Sequence, residues 1–136
     1  MIPRMNLYLG KGLKVSEDLE KYYNSRESDS KSLLRELKSL QDRCFGKQEL
    51  SKSLIEDLIV SLDKFLIRIG TRQKLLSDKH CKKIRVKEEN LCKLIYDYSL
   101  ALKTEVKQND TIEVSNIKTV IERLQSIFEV YSKIKI

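Results

Sequence analysis

The side chains that most often do chemistry are sparse in this sequence. His80 is the only histidine, and the three cysteines, Cys44, Cys81 and Cys92, form no Cys-x-x-Cys pair. A zinc site made from His80, Cys81 and Cys92 lacks a fourth ligand, and the two cysteines would lie about 16 Å apart along a continuous helix. The sequence therefore predicts no metal site, and we expect reduced thiols packed between helices.

Nucleophilic and acid–base catalysis find no support either. A serine nucleophile needs a histidine base and an orienting acid, whereas His80 lies within a run of lysines. The adjacent pairs Glu56–Asp57 and Glu88–Glu89 would diverge by about 100° on a helix, which predicts solvated carboxylates rather than an acid/base pair. No glycine-rich phosphate loop or calcium-loop pattern occurs. The sequence predicts a protein that is not an enzyme, with no cofactor and no small-molecule substrate.

One feature of His80 resembles the phosphorylated histidine of histidine phosphotransfer domains, because Lys83 follows three residues later. That resemblance implies a phosphate-accepting histidine on one helix of a four-helix bundle. The sequence departs from the family at the next position, where Ile84 stands in place of a small residue. A single matching residue does not carry a function over to this chain.

The elements that would position these residues are predicted to be helices. With one proline and four glycines, the chain has too few turn-forming residues for an all-β fold. We expect an all-α protein, either a three- or four-helix antiparallel bundle or an elongated coiled-coil-like helical hairpin. A flexible N-terminal segment over 1–14 precedes a single helical domain over 15–136. Apolar spacing places the helices near 16–44, 48–69, 72–107 and 112–135.

Helix boundaries are predicted from single residues. Ser16 is the expected N-cap of the first helix, and Gly46 lies where a left-handed residue is expected after its end. Asp110 and Glu113 fit a capping box that opens the last helix. Gly70 leaves two alternatives open, because it either ends a helix or lies within a continuous helix over 48–107, about 90 Å long.

The first helix is also predicted to have a weak point. Its apolar stripe contains two polar members, Arg26 and Ser30, within the polar stretch 25–32. Polar residues on a buried stripe reduce the apolar area that the helix can pack. The sequence therefore predicts a weak or broken helix there, with better packing from 31 to 45.

Positive charge is concentrated in one segment. The chain carries a net charge of +7, and residues 72–87 contain seven cations against one acid, Asp78. We expect little of this segment to be buried, so that it is either an ordinary solvated helix face or a basic surface for an acidic partner. The cations of this basic patch are Arg72, Lys74, Lys79, Lys82, Lys83, Arg85 and Lys87.

Wide apolar stripes predict a function in protein assembly. We expect them to pack the helices and, where one chain cannot cover them, to contact other helical proteins or a second copy. The predicted function is a non-enzymatic protein–protein interaction module, a subunit or adaptor of an intracellular multiprotein assembly. The residues expected on this helix-packing or partner face are Leu58, Leu62, Leu66, Ile117, Ile121, Leu124, Phe128 and Tyr131.

Two other functions remain open. A membrane-surface trafficking module of BAR-like architecture would use the cations of 72–87 against anionic headgroups. A nucleic-acid-binding function ranks third, because no aromatic residue lies between Phe65 and Tyr96 and lysines outnumber arginines in the patch. No apolar run is long enough for a signal peptide or a membrane span, so we expect a cytoplasmic location, at the membrane periphery under the second hypothesis.

Overall fold

Four helices make up most of the chain. The computed structural model describes the backbone of residues 2–133 and the side chains of residues 17–133. Helix α1 packs mainly on α4, and α2 packs mainly on α3, so the predicted all-α bundle is confirmed. The predicted flexible segment over 1–14 stays a prediction. Ser16 lies inside α1, which begins at Ile2, so the N-cap predicted at Ser16 is wrong. The helices are α1 (Ile2–Cys44), α2 (Lys52–Lys74), α3 (Asp78–Gln108) and α4 (Val114–Lys133).

Two short strands tie the loops together at one end of the bundle. Strands β1 (Glu49–Ser51) and β2 (Thr111–Glu113) pair antiparallel, with Leu50 opposite Ile112. Both of these side chains are buried, because each strand turns its one apolar residue toward the core. The predicted capping box is wrong, since Glu113 lies in a strand and the last helix begins only at Val114. Likewise, the second helix begins after β1 rather than at residue 48.

The helix ends follow the local backbone chemistry. Gly46 follows the end of α1 at Cys44 and has φ = +72°. The left-handed backbone conformation predicted at this position is one that only glycine adopts without strain. Gly70 lies inside α2, so glycine is tolerated there within a helix and the predicted helix end at Gly70 is wrong. The continuous helix predicted over 48–107 is also wrong. The chain breaks instead between Lys74 and Asp78. The Ser77 side chain caps α3 by accepting a hydrogen bond from the backbone N–H of His80 at 3.4 Å.

The main core lies between all four helices. Phe65 of α2 packs edge-on against Phe128 and Tyr131 of α4, with ring centroids 5.0 and 5.6 Å apart, an arrangement that aromatic rings favour. The residues expected on the packing or partner face lie in this core: Leu58, Leu62, Ile117, Ile121, Leu124, Phe128 and Tyr131 are buried, and Leu66 is half-buried. They pack this chain's own helices, so a partner surface has to be sought elsewhere.

Candidate functional site

Helix α1 runs unbroken through the polar stretch 25–32. The predicted weak point there is wrong, because both polar residues on the stripe are buried within the bundle: Arg26 is 1% exposed and Ser30 is fully buried. A buried guanidinium is stable only beside an opposite charge and other polar partners. The stripe position of Arg26 is therefore occupied by a charged pair instead of an apolar contact.

The partner of Arg26 is Glu88 of α3, also 1% exposed. A guanidinium nitrogen of Arg26 (Nη1) bonds Glu88 Oε2. The other carboxylate oxygen, Oε1, accepts hydrogen bonds from Tyr22 Oη at 2.5 Å and from Gln73 Nε2 at 2.9 Å. The solvated position predicted for Glu88 is wrong. One buried carboxylate thus receives donors from α1 and α2 in addition to the guanidinium.

Aromatic rings surround the guanidinium. The Arg26 carbon Cζ lies 4.9 Å from the ring centroids of Tyr23 and Tyr131, and 5.9 Å from that of Tyr22, within the range of cation–π attraction. Tyr131 also contacts Cys92 of α3, with the hydroxyl oxygen 3.7 Å from the sulfur. We call Tyr22, Arg26, Gln73, Glu88 and Tyr131 the buried polar layer; its members come from all four helices.

The layer lies between two apolar regions and shares one residue with each. Tyr131 also belongs to the main core, and Tyr22 also belongs to a small cluster with Leu76 and Ile84. From α2 into the turn that follows it, for example, Ile69 belongs to the main core, Gln73 to the layer and Leu76 to the small cluster. Because Arg26 and Glu88 have to meet at one level, the layer selects one axial alignment of the helices.

Burial sets the protonation of the layer. It raises the pKa of Tyr22, and the Glu88 carboxylate that accepts its hydrogen bond raises that pKa further. Burial is also the main cause of the raised pKa of Tyr131 and of Cys92. Both phenols are therefore neutral at physiological pH, and the Cys92 thiolate that would act as a nucleophile is disfavoured. The contacts of the layer join α1, α2 and α3 through one carboxylate.

Arg72, counted in the basic patch, faces α1 rather than solvent. Its guanidinium pairs with Asp29 at 2.5 Å and donates to Ser25 Oγ at 2.5 Å. Arg68, one turn earlier on α2, approaches the same Asp29 at 3.6 Å. These contacts join α1 to α2, so Arg72 is not part of an open basic surface.

The other cations of the patch are exposed: Lys74, Lys79, Lys82, Lys83, Arg85 and Lys87. Ten of the sixteen residues of 72–87 are exposed, as expected, and three are buried, namely Gln73, Leu76 and Ile84. The segment lies on the bundle with one side packed and the other carrying the cations. Sequence analysis missed this division because Leu76 lies in the turn before α3 and Ile84 lies within α3, so no single helical spacing relates them.

A second stripe on α3 was also missed. Its members follow one another at alternating spacings of four and three residues, which keeps them on one face of a helix. All eight are exposed, opposite the stripe that packs in the core. The sequence contains this spacing, but charged residues separate the apolar members of the stripe, so it does not stand out as an apolar pattern. We call this set the outer stripe: Lys82, Val86, Glu89, Lys93, Tyr96, Leu100, Lys103 and Lys107.

Within residues 17–133, no three His, Cys, Asp or Glu side chains are close enough together to hold a metal ion. Nor is any helix in the described part of the chain long and apolar enough to cross a bilayer. No protein-family model matches this sequence, and no curated protein or solved structure matches it.

Proposed function

We propose that this protein is a non-enzymatic helical module that binds another protein through the outward surface of the α2–α3 hairpin. One observation carries the proposal. Of the nine large apolar side chains that are exposed among the described residues, seven lie on α2, α3 or the turn between them. Exposed apolar groups gathered on one face, with polar groups around them, are typical of protein interaction sites. The seven are Val60, Ile67, Leu75, Val86, Leu94, Tyr96 and Leu100.

Contacts across the hairpin place several of these residues together. Asp63 of α2 accepts a hydrogen bond from Ser99 at 3.0 Å and pairs with Lys103 at 2.9 Å. Val60 and Ile67 lie one turn to either side of Asp63, on the same side of α2. The two helices run antiparallel, so the turn that holds Ile67 lies beside the turn of α3 before Ser99. Tyr96 is exposed in that turn, and Leu100, also exposed, directly follows Ser99.

We call Val60, Ile67, Val86, Tyr96 and Leu100 the hairpin surface. Its apolar character is not shared by the opposite pair of helices. Within the described parts of α1 and α4, the one large apolar side chain exposed is Val130, and one more, Phe45, directly follows the end of α1. The contrast supports different roles for the two helix pairs, in which α1 and α4 stabilise the hairpin and the hairpin binds the partner. A subunit or adaptor of an intracellular assembly fits this division.

Affinity purification of matched variants tests the proposal. Leu100→Asp places a charge on the hairpin surface, and Val130→Asp places the same charge on α4, at side chains that are 45% and 53% exposed. We expect Leu100→Asp to lose specific proteins that the wild type and Val130→Asp both retain, and the purified partner to reproduce the loss. Identical partners for all three proteins would contradict the proposal. Circular dichroism controls for folding.

A second candidate rests on the tip of the hairpin. Leu75 is 78% exposed between exposed Lys74 and Lys79, a combination suited to an anionic membrane surface. Co-sedimentation with anionic liposomes tests it. Salt-sensitive binding that Lys82→Glu/Lys83→Glu abolishes would support this candidate, whereas no binding would exclude it.

A further inference from the structure

The outer stripe of α3 is long and regular. Between Lys82 and Lys107 it extends about 38 Å along the helix. Three of its members are apolar, namely Val86, Tyr96 and Leu100, and Val86 is 72% exposed. Alternating spacings of four and three residues keep a stripe in contact with a second helix along its whole length. The outer stripe is therefore a straight line of exposed residues, three apolar and five charged, that no described element covers.

We propose that an acidic amphipathic helix of a partner protein packs lengthwise on the outer stripe. This inference rests on the proposed function and specifies the partner. Charge supports it, because the stripe holds four lysines and one acid. Lys103 pairs with Asp63, whereas Lys82, Lys93 and Lys107 form no ion pair with any residue in the described part of the chain. Carboxylates of a partner helix would complement those three lysines.

A second copy of this chain is a poorer match than an acidic helix. In a parallel pair of outer stripes each lysine would lie opposite itself. In an antiparallel pair of full overlap, Lys82 would face Lys107 at both ends. An antiparallel pair shifted by one heptad would place Val86 opposite Tyr96 and Glu89 opposite Lys93, but it would also place Lys103 opposite Lys79 and leave Lys107 outside the stripe contact. A partner helix of opposite charge can instead cover the stripe over its full length.

A membrane surface is also a poorer match to the stripe than an acidic helix. Helices that lie in a membrane interface gather their apolar residues on one face and hold their charges on the other. Here Glu89 and Lys93 lie between Val86 and Tyr96 on the same line. Burying the apolar members in lipid would bury both charges with them, at a cost. A partner helix can instead place an apolar residue opposite Tyr96 and a carboxylate opposite Lys93.

A synthetic probe tests the proposal directly. A fluorescent peptide of about 28 residues, long enough to cover the stripe, carries leucines at alternating spacings of four and three with glutamates beside them. Its control is a scrambled peptide of identical composition. We expect the full-length protein to bind the ordered peptide at least about tenfold more tightly, as measured by anisotropy, and to bind it more weakly as salt rises.

Matched variants locate the binding. Lys93→Glu/Leu100→Asp changes the outer stripe, whereas Lys38→Glu/Val130→Asp makes the same changes at exposed positions of α1 and α4. We expect the first variant to lose binding at least about tenfold and the second to keep it within about twofold. Circular dichroism spectra of both variants should match the wild type. If Leu100→Asp prevents folding, the variant Lys82→Glu/Lys93→Glu, which changes only charges on the outer stripe, replaces it in the binding measurement.

Three results would overturn the proposal. The first is that the scrambled peptide binds as tightly as the ordered peptide, and the second is that the α1/α4 variant loses as much affinity as the outer-stripe variant. The third is that the protein binds vesicles of one-third phosphatidylserine, or an RNA oligonucleotide, but not the ordered peptide. The proposed function is tested separately. If partners recovered in cells depend on Leu100 but the ordered peptide does not bind, the acidic helix is excluded and the protein-binding function stands.

Discussion

Replacing Glu88 by alanine should show how strongly the buried polar layer holds the bundle together. The substitution removes the carboxylate that neutralises Arg26 and accepts hydrogen bonds from Tyr22 and Gln73. All four side chains are buried. Afterwards the guanidinium would remain inside the protein without its counter-charge, and two buried donors would lose their acceptor.

The expected loss of stability is large. Removing one member of a buried ion pair costs about 3–5 kcal/mol, because the remaining charge stays desolvated. A domain of this size has a free energy of unfolding of about 5–15 kcal/mol in total. Cation–π contacts to three tyrosine rings offset part of the cost to the guanidinium, each by about 0.5–2 kcal/mol. We therefore expect Glu88→Ala to lose about 3 kcal/mol or more.

A double-mutant cycle separates the ion pair from simple packing. Arg26→Met alone leaves the Glu88 carboxylate buried without its counter-charge and should cost about as much as Glu88→Ala. Arg26→Met/Glu88→Leu removes both charges and keeps apolar volume in their place. We expect the double variant to be more stable than the sum of the single losses predicts, by at least about 2 kcal/mol.

Urea unfolding followed by circular dichroism at pH 7 measures all of these free energies. If Glu88→Ala does not fold, Tyr22→Phe provides a milder step, because it removes one hydrogen bond to a charged group, worth about 1.5–3 kcal/mol. A loss below about 1 kcal/mol for Glu88→Ala, or additive losses in the cycle, would refute the reasoning, because such values describe a solvated pair.

Three further predictions concern backbone and protonation. Gly70→Ala should raise the free energy of unfolding by about 0.5–1 kcal/mol, because Gly70 is helical and an added Cβ meets no atom within 4 Å. Gly46→Ala should lower it by about 1–2 kcal/mol, because φ is +72° there; urea unfolding of both variants checks the opposite signs. The pKa values of Tyr22 and Tyr131 are raised above 10.0 in the folded protein, so above about pH 10 the unfolded state releases phenol protons that the folded state keeps. The free energy of unfolding should therefore fall as pH rises above about 10, by about 1.4 kcal/mol per pH unit for each tyrosine. Unfolding measured between pH 9 and 11 would show a flat profile if the phenols were solvated, and Tyr22→Phe should halve the slope.

Several features were accessible from the sequence because they depend on local chemistry. The apolar spacing of α2 and α4 requires each helix to bury one face, whatever lies opposite. Gly46 follows the last helical turn of α1 at a backbone angle that other residues avoid. Each of these preferences is local, so the all-α class and the boundary at Gly46 were predicted correctly.

The errors share one physical cause, which is pairing between residues far apart in the chain. Arg26 looked like a weakness in α1 because Glu88, its partner 62 residues away, lies in a helix whose position the sequence does not give. Residues 111–113 look like a helix start, yet they form a strand because residues 49–51 are beside them. In both places the partner satisfies polar groups that would otherwise favour a different local structure.

The sequence by itself determined that the chain forms amphipathic helices and that its positive charge is concentrated between residues 72 and 87. Only the tertiary structure decided which faces remain open. It buried the apolar residues expected to meet a partner, turned Arg72 toward Asp29, and left the outer stripe of α3 exposed. The physical reason is that the exposure of a side chain depends on the elements packed beside it. The spacing of residues defines several faces on one helix, and the neighbouring helices determine which of these faces is exposed to water.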